Sequence, residues 1–228
     1  AAREMGLNEA NYRVGAAEAP DDEARAERLQ RLAHAEEVGL RDLAAATATW
    51  RAVLALAPEH PRALAALARL LEAQKAWPAL LEISALQLAV TTEPRRRAQV
   101  LFRMGSLLET QLGDVPAAKA HYRQAVEADP RCFPALHGLR DLAARAEDWA
   151  AVIENLRAEL ALWADPKERA AVLARIGEVE ARRRGDPAAA LASYREALAT
   201  WPESVPAARY LADRAFAHLV DALERFAF

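Results

Sequence analysis

The sequence predicts an all-α fold, an α-solenoid of antiparallel helix pairs. Three observations predict it. Alanine supplies 58 of the 228 residues, whereas Val, Ile and Thr together supply 21 and Gly 8. That bias favours helices and leaves little for strands. Apolar residues recur at helical spacing in short blocks, separated by Gly, Pro and Asp. The blocks themselves return every 72 residues, as in a chain whose units bury their faces only against their neighbours.

The 72-residue register runs far along the chain. Pro58, Pro130 and Pro202 share it, as do Trp50, Tyr122 and Tyr194. So do Asp42, Asp114 and Asp186, and so do Ala46, Ala118 and Ala190. Ala33, Gly105 and Gly177 are in phase, preceded by Leu32, Met104 and Ile176 and by Leu29, Leu101 and Leu173. Trp77 matches Trp149, Leu81 matches Ile153, and Pro134 matches Pro206.

The elements follow in order. Residues 1–19 have mixed composition and predict an irregular segment or short helix. Pro20-Asp21-Asp22-Glu23 opens the first strongly patterned helix. Helical hairpins are expected at about 20–58, 61–92, 95–130, 133–164 and 166–202. In the third, Leu101, Met104, Gly105 and Leu108 fall on one helix face. Asp114 caps the next helix, with Pro116 in its first turn. Ala118, Tyr122 and Ala125 form that helix's packing face, and Pro130 stops it. Leu64, Leu67 and Leu71, then Leu136, Leu139 and Ala143, make the faces of the alternate hairpins, whose second helices start at Trp77 and Trp149. Residues 204–228 predict one continuous capping helix, because Ala217–Val220 contains no breaker. Phe216, Leu219, Val220, Leu223 and Phe226 are expected to dock on the last hairpin.

The half-unit at 97–130 resembles the tetratricopeptide repeat (TPR). It carries Leu101, Met104-Gly105, Leu108, Ala118, Tyr122, Ala125 and Pro130 in that family's order. The copy at 169–202 carries Leu173, Ile176-Gly177, Glu180, Ala190, Tyr194, Ala197 and Pro202. The copy at 25–58 carries Leu29, Leu32-Ala33, Glu36, Ala46, Trp50, Val53 and Pro58. Two features depart from the family pattern. The first helix runs one residue long before the Gly-Asp turn, and Leu or Glu replaces the aromatic at its end. The resemblance implies a right-handed solenoid over roughly 25–216.

Catalytic patterns are thin. His34, His60, His121, His137 and His218 are scattered, with no pair at helical metal-ligand spacing. No phosphate-binding Gly-rich loop and no Gly-x-Ser-x-Gly is present. No cofactor or metal is expected. Cys132 is the single cysteine, which excludes an intrachain disulfide, and its place at a helix start reads as packing. The net charge of −3 gives no basic excess for nucleic acid. No apolar run approaches the roughly 20 residues of a bilayer span. No leader is visible in a chain that opens at Ala1, and a cytoplasmic location is expected. Trp50, Tyr122 and Tyr194 read as core, and Trp77 and Trp149 as packing between hairpins or a ligand shelf. Arg182–Arg184 suit a helix end. Arg95–Arg97 stand at a helix start, where an acidic neighbour, an anion or, in the favoured reading, solvent answers them.

The resemblance further implies that the first helices of the hairpins line a concave groove where ligands lie. By register its rows are Gln30, His34 and Glu37; Ala65, Arg69 and Glu72; Phe102, Ser106 and Glu109; His137 and Asp141; Ala174 and Glu178; Arg209 and Asp213. Acids recur, and the Asn of a carboxylate clamp is absent. The row therefore favours a basic or mixed-charge partner. The expected function is a non-enzymatic scaffold that binds a peptide or protein in this groove. The alternatives are self-assembly through unsatisfied repeat ends, a repeat segment of a larger protein, and, last, an enzyme on a helical scaffold.

Overall fold

A computed structural model describes residues 14, 16, 17 and 19–226, with side chains through 218. The reading of 1–19 as a short segment falls almost wholly outside the described residues. So do the side chains of Leu219, Val220, Leu223 and Phe226. The described residues form eleven α-helices and no strand. The helices are α1 (Asp22–His34), α2 (Leu43–Leu56), α3 (Pro61–Ala73), α4 (Trp77–Val90), α5 (Pro94–Leu107) and α6 (Val115–Ala128). After them come α7 (Phe133–Arg145), α8 (Trp149–Leu162), α9 (Pro166–Arg182), α10 (Pro187–Thr200) and α11 (Val205–Phe226). The chain divides into two compact units, residues 1–121 and 122–228, with the boundary inside α6.

Local chemistry sets the helix starts. Asp21, Asp42, Asp114, Asp148, Asp165 and Asp186 each accept a backbone N–H of the following turn. A side-chain acceptor there satisfies a donor that the helix leaves open. Proline occupies the first turn of α3, α5, α9 and α10, where its missing N–H costs nothing. Glu93 caps α5, accepting from the N–H groups of Arg95 and Arg96, and its carboxylate lies 3.4 Å from the Arg96 side chain. Arg95 and Arg96 therefore stand beside an acid of their own chain rather than in solvent alone.

In the first two copies the extra residue before the turn is absorbed in a wider coil. Ala35–Gly39 and Leu108–Leu112 form π-helical turns after α1 and α5, the usual accommodation of a one-residue insertion in a helix. Behind them the Asp42, Asp114 and Asp186 N–H groups reach back to the carbonyls of Glu36, Leu108 and Glu180, each at 2.9 Å. The turn needs one left-handed residue. Gly113 and Gly185 supply it at φ 71° and 64°, and Arg41 holds the same place at φ 55°.

In unit 1 the core runs through Trp50, Val53, Leu64, Leu67, Leu70 and Leu71. In unit 2 one cluster joins Val152, Ile153 and Leu156 of α8 to Val172 and Ile176 of α9, and another surrounds Tyr194. Small residues let the helices close. A Cβ on Gly138 would lie 2.7 Å from the Tyr122 ring, and one on Gly177 would lie 2.9 Å from Tyr194. Tyr210 stands 72 residues after Gly138. Its ring stacks on Tyr194 at 4.2 Å between centroids, so a ring replaces bare backbone at the last copy of this contact.

One arginine per period ties a helix to the element before it. Arg25 donates to Ala16 O at 3.3 Å. Arg97 donates to Leu88 O and Thr91 O at 2.9 and 2.8 Å. Arg169 donates to Leu160 O and Trp163 O at 3.1 and 3.3 Å. The acceptors in the last two pairs are carbonyls at the ends of α4 and α8, and Leu88 O also takes the Thr91 N–H at 3.3 Å. This, and not solvation, accounts for Arg97. At the far end, α11 is one helix, but Phe216 is 68% exposed rather than docked on α10, and Val205 is 73% exposed.

Candidate functional site

Unit 1 holds a cleft of about 820 Å³ between α3, α4 and α5. The helix period of 3.6 brings every third or fourth residue of α3 and α5 to its walls. Ala65, Arg69, Glu72, Phe102 and Ser106, expected in the groove, all line it. Gln99 and Arg103 of α5 join them, as do Trp77 and Leu80 of α4. Gln30, His34, Glu37 and Glu109 do not. Gln30 instead bonds His60 at 3.0 Å between their side-chain nitrogens. His34 is exposed. Glu109 lies on the π-turn after α5.

Unit 2 holds two clefts that share the exposed face of α9. The first, about 440 Å³, is lined by Arg140, Trp149, Val152, Arg175, Arg182 and Arg183 among others. Each of its nine lining residues stands 72 positions after a residue lining the unit 1 cleft. Trp149 answers Trp77, Val152 answers Leu80 and Arg175 answers Arg103. The second, about 740 Å³, lies between α9, α10 and α11, with Tyr194, Trp201 and Tyr210 on its walls. Ala174, Glu178, Arg209 and Asp213, all expected in the groove, line it. His137 and Asp141 line neither. His137 Nε2 lies 3.7 Å from Glu159, and Asp141 lies 3.7 Å from Arg140 Nε.

The electrostatics differ from an acidic row. Arg69 holds Glu37 through both terminal guanidinium nitrogens, with the Nη2–Oε2 bond at 2.8 Å. The Arg69 hydrogen bond keeps the Glu37 carboxyl below the usual carboxylate range, against the opposing effect of burial. Arg182 donates to Glu178 at 2.8 Å, and Arg140 donates to the buried Glu159 at 3.1 Å. Three acids of the expected row, Glu37, Asp141 and Glu178, thus lie beside arginines of their own chain. Burial pushes the Tyr194 hydroxyl up, with the Glu178 charge adding to it. Burial likewise pushes the Cys132 thiol up, which keeps it a poor nucleophile.

Arg103 and Arg175 are the part of the site that the groove rows, which hold Arg69 and Arg209, do not contain. Arg103 and Arg175 are in phase at 72 residues, and that coincidence carries the information. Phe102 and Ala174 were placed on the groove row, whereas the helices turn the next residue, Arg103 or Arg175, toward the clefts as well. Trp77 and Trp149 stand half-buried on cleft walls. Among the described residues no three His, Cys, Asp or Glu side chains gather to hold a metal ion. No described helix is long and apolar enough to cross a membrane.

Residues 99–131 match the family model described as tetratricopeptide repeat. No curated protein matches the chain. Several solved structures are similar in fold. One comes from work on the functional characterisation of Pseudomonas aeruginosa PilF, with 15% identity over 82% of each chain and a TM-score of 0.47. Another is YrrB, described as a TPR protein with an unusual peptide-binding site, with 15% identity over 81% of this chain and 91% of that one and a TM-score of 0.47. A third is a tetratricopeptide repeat protein from Parabacteroides merdae, with 13% identity over 88% of each chain and a TM-score of 0.48.

Proposed function

From the tetratricopeptide repeat at residues 99–131 and the all-helical fold around it, we propose that the chain is a non-enzymatic helical-repeat scaffold that takes an extended segment of a partner protein along the first-helix faces. The observation that carries the reading is the recurrence of a cleft at one repeat register, walled by α3 and α5 in unit 1 and by α7 and α9 in unit 2. Such clefts have the volume of a few side chains and offer apolar walls beside oriented polar groups, the mixture that peptide grooves use. Both charge signs line them, and arginines outnumber acids in each, so they do not favour the basic segment that the acids alone suggest. Protein-interaction scaffolding is the work of this family generally; the groove and the peptide are the parts proposed.

The test is site-specific photo-crosslinking in cells of the source organism. A photoreactive amino acid at Gln99 or Ser106, on the cleft wall, is expected to capture a discrete partner. The same group at Arg51, exposed on α2 and outside the clefts, should capture none. Adducts from Arg51 alone would remove the groove reading.

A second reading rests on a separate observation. Val205 and Phe216 lie on one side of α11, three turns apart, and both are exposed. Uncovered apolar faces at a repeat end can stack between copies. Sedimentation equilibrium would then show mass rising with concentration, and Phe216→Glu would abolish the rise.

A further inference from the structure

The repeat-equivalent clefts carry an excess of arginine that the chain as a whole does not. The protein has a net charge of −3. Yet Arg140, Arg175, Arg182 and Arg183 line the smaller unit 2 cleft against one carboxylate, Glu178. Arg69, Arg96 and Arg103 line the unit 1 cleft against Glu72. Within these sets several arginines are engaged: Arg69 with Glu37, Arg96 with Glu93, Arg140 with Glu159 and Arg182 with Glu178. Arg183 lies over the Trp149 ring at 5.0 Å. Arg103 and Arg175 have no acid partner among the described residues, and they occupy the same register 72 residues apart. Each shares its cleft with the half-buried tryptophan of its repeat, Trp77 or Trp149, and with an aliphatic side chain, Leu80 or Val152.

We infer that the Trp77–Arg103 and Trp149–Arg175 clefts are two copies of one recognition site for an acidic peptide segment bearing a large apolar or aromatic side chain. The inference rests on the groove reading above and names its ligand chemistry. A guanidinium offers a carboxylate two parallel donors in a fixed plane. The aliphatic and indole wall takes the neighbouring apolar side chain, and a tryptophan beside a cleft is the residue type that anchors such contacts. In the unit 2 cleft, where neither Arg175 nor Arg183 has an acid partner among the described residues, low-dielectric walls also concentrate the field on an approaching acidic segment. In unit 2 the cation count is higher and the cleft smaller, so that copy binds the acidic part more tightly.

The probe is a blocked, fluorescein-labelled peptide of Asp and Glu around a single Phe, titrated into the full chain. Anisotropy reports binding, and tryptophan emission reports contact with Trp77 and Trp149. Two sites per chain are expected. Arg175→Glu should remove the tighter site and Arg103→Glu the weaker one. The double variant should weaken binding by about tenfold or more, the scale of a lost charge-assisted contact. Both arginines are exposed, and unchanged circular dichroism will show that the variants fold. Trp149→Phe should remove most of the emission change at the tighter, Arg175 site. The inference is overturned if the double variant binds as the wild type does. It is also overturned if a Lys-for-acid peptide binds equally well, or if a single-stranded RNA displaces the peptide at equal concentration. Failure of the acidic peptide together with groove crosslinks at Gln99 would leave the groove reading standing and remove only its acidic ligand. Failure of both would remove both.

Discussion

Ser193 on α10 donates a 2.7 Å hydrogen bond to the carboxylate of Glu180, which is 3% exposed at the end of α9. The first copy of the repeat has the same arrangement: Thr49 donates to Glu36 at 2.6 Å, and Glu36 is fully buried. The middle copy has Leu108 and His121 at these places. The slot that an aromatic fills in the tetratricopeptide pattern therefore takes either a carboxylate with a hydroxyl partner or a plain aliphatic side chain. Ser193→Ala should cost about 1–3 kcal/mol, because it strips a donor from a buried carboxylate. Adding Glu180→Leu should recover most of the loss, since the pair is then replaced by the residue that the middle copy uses. Urea denaturation of the three variants measures the cycle.

Gly177→Ala sets two effects against each other. Alanine gains about 1 kcal/mol of helix propensity over glycine. The new Cβ would meet the Tyr194 ring at 2.9 Å, near its base as well as its edge. The ring is buried and stacked on Tyr210, so it has little room to yield, and overpacking costs about 1–3 kcal/mol. The net change should lower the melting temperature. Tyr194→Leu in the same chain should return Gly177→Ala to neutral or better.

Arg97→Met and Arg169→Met should each destabilise by roughly 2 kcal/mol. Each removes a charged donor from two carbonyls at a helix end and leaves them without it. Lysine should not restore the loss, since one ammonium on a flexible stem does not reproduce the planar guanidinium that spans both oxygens. Chemical denaturation of the Met and Lys variants decides this.

Arg41→Gly should raise stability by about 1 kcal/mol. Arg41 holds φ 55° where Gly113 and Gly185 do the same work in the later copies, and a Cβ in that region costs about 1–2 kcal/mol. A rise in melting temperature without change in helical content is the expected result.

The Glu37–Arg69 pair gives a pH signature. Its folded carboxyl titrates below the ordinary value. The stabilisation is therefore present above about pH 4–5 and is lost as pH falls through the lowered folded pKa. The Arg69 side chain is 60% exposed, so the pair contributes at most about 1 kcal/mol. The stability gap between wild type and Arg69→Met should be open at neutral pH and close in acid.

The repeat, the helix starts and the aromatic packing of Trp50, Tyr122 and Tyr194 were legible in the sequence, because register and N-cap chemistry are local. The sequence also showed that the first helices run one residue long; it did not show that a π-turn takes up the excess. The pairing of groove acids was hidden, since Glu37 and Arg69 lie 32 residues apart and only the packed helices bring them together. Arg97 was misread for the same reason. Read along its own helix it is a cation at the wrong end, whereas across the turn it faces the carbonyl end of α4. The spacing of Phe216 predicts that it docks on the last hairpin, whereas it is exposed; spacing orients a side chain only when a neighbouring surface exists to receive it.

The arginine ties recur at Arg25, Arg97 and Arg169, once per two hairpins and not once per hairpin. That makes the doublet the unit of heredity and of engineering. A gene that gains or loses 72 codons at this register carries donor and acceptors together, and the junction closes as before. One that gains a single hairpin places Pro61-type or Pro134-type starts where a tethering arginine belongs, and a helix end is left with bare carbonyls. Shortened or lengthened versions of this chain should therefore be cut in doublets.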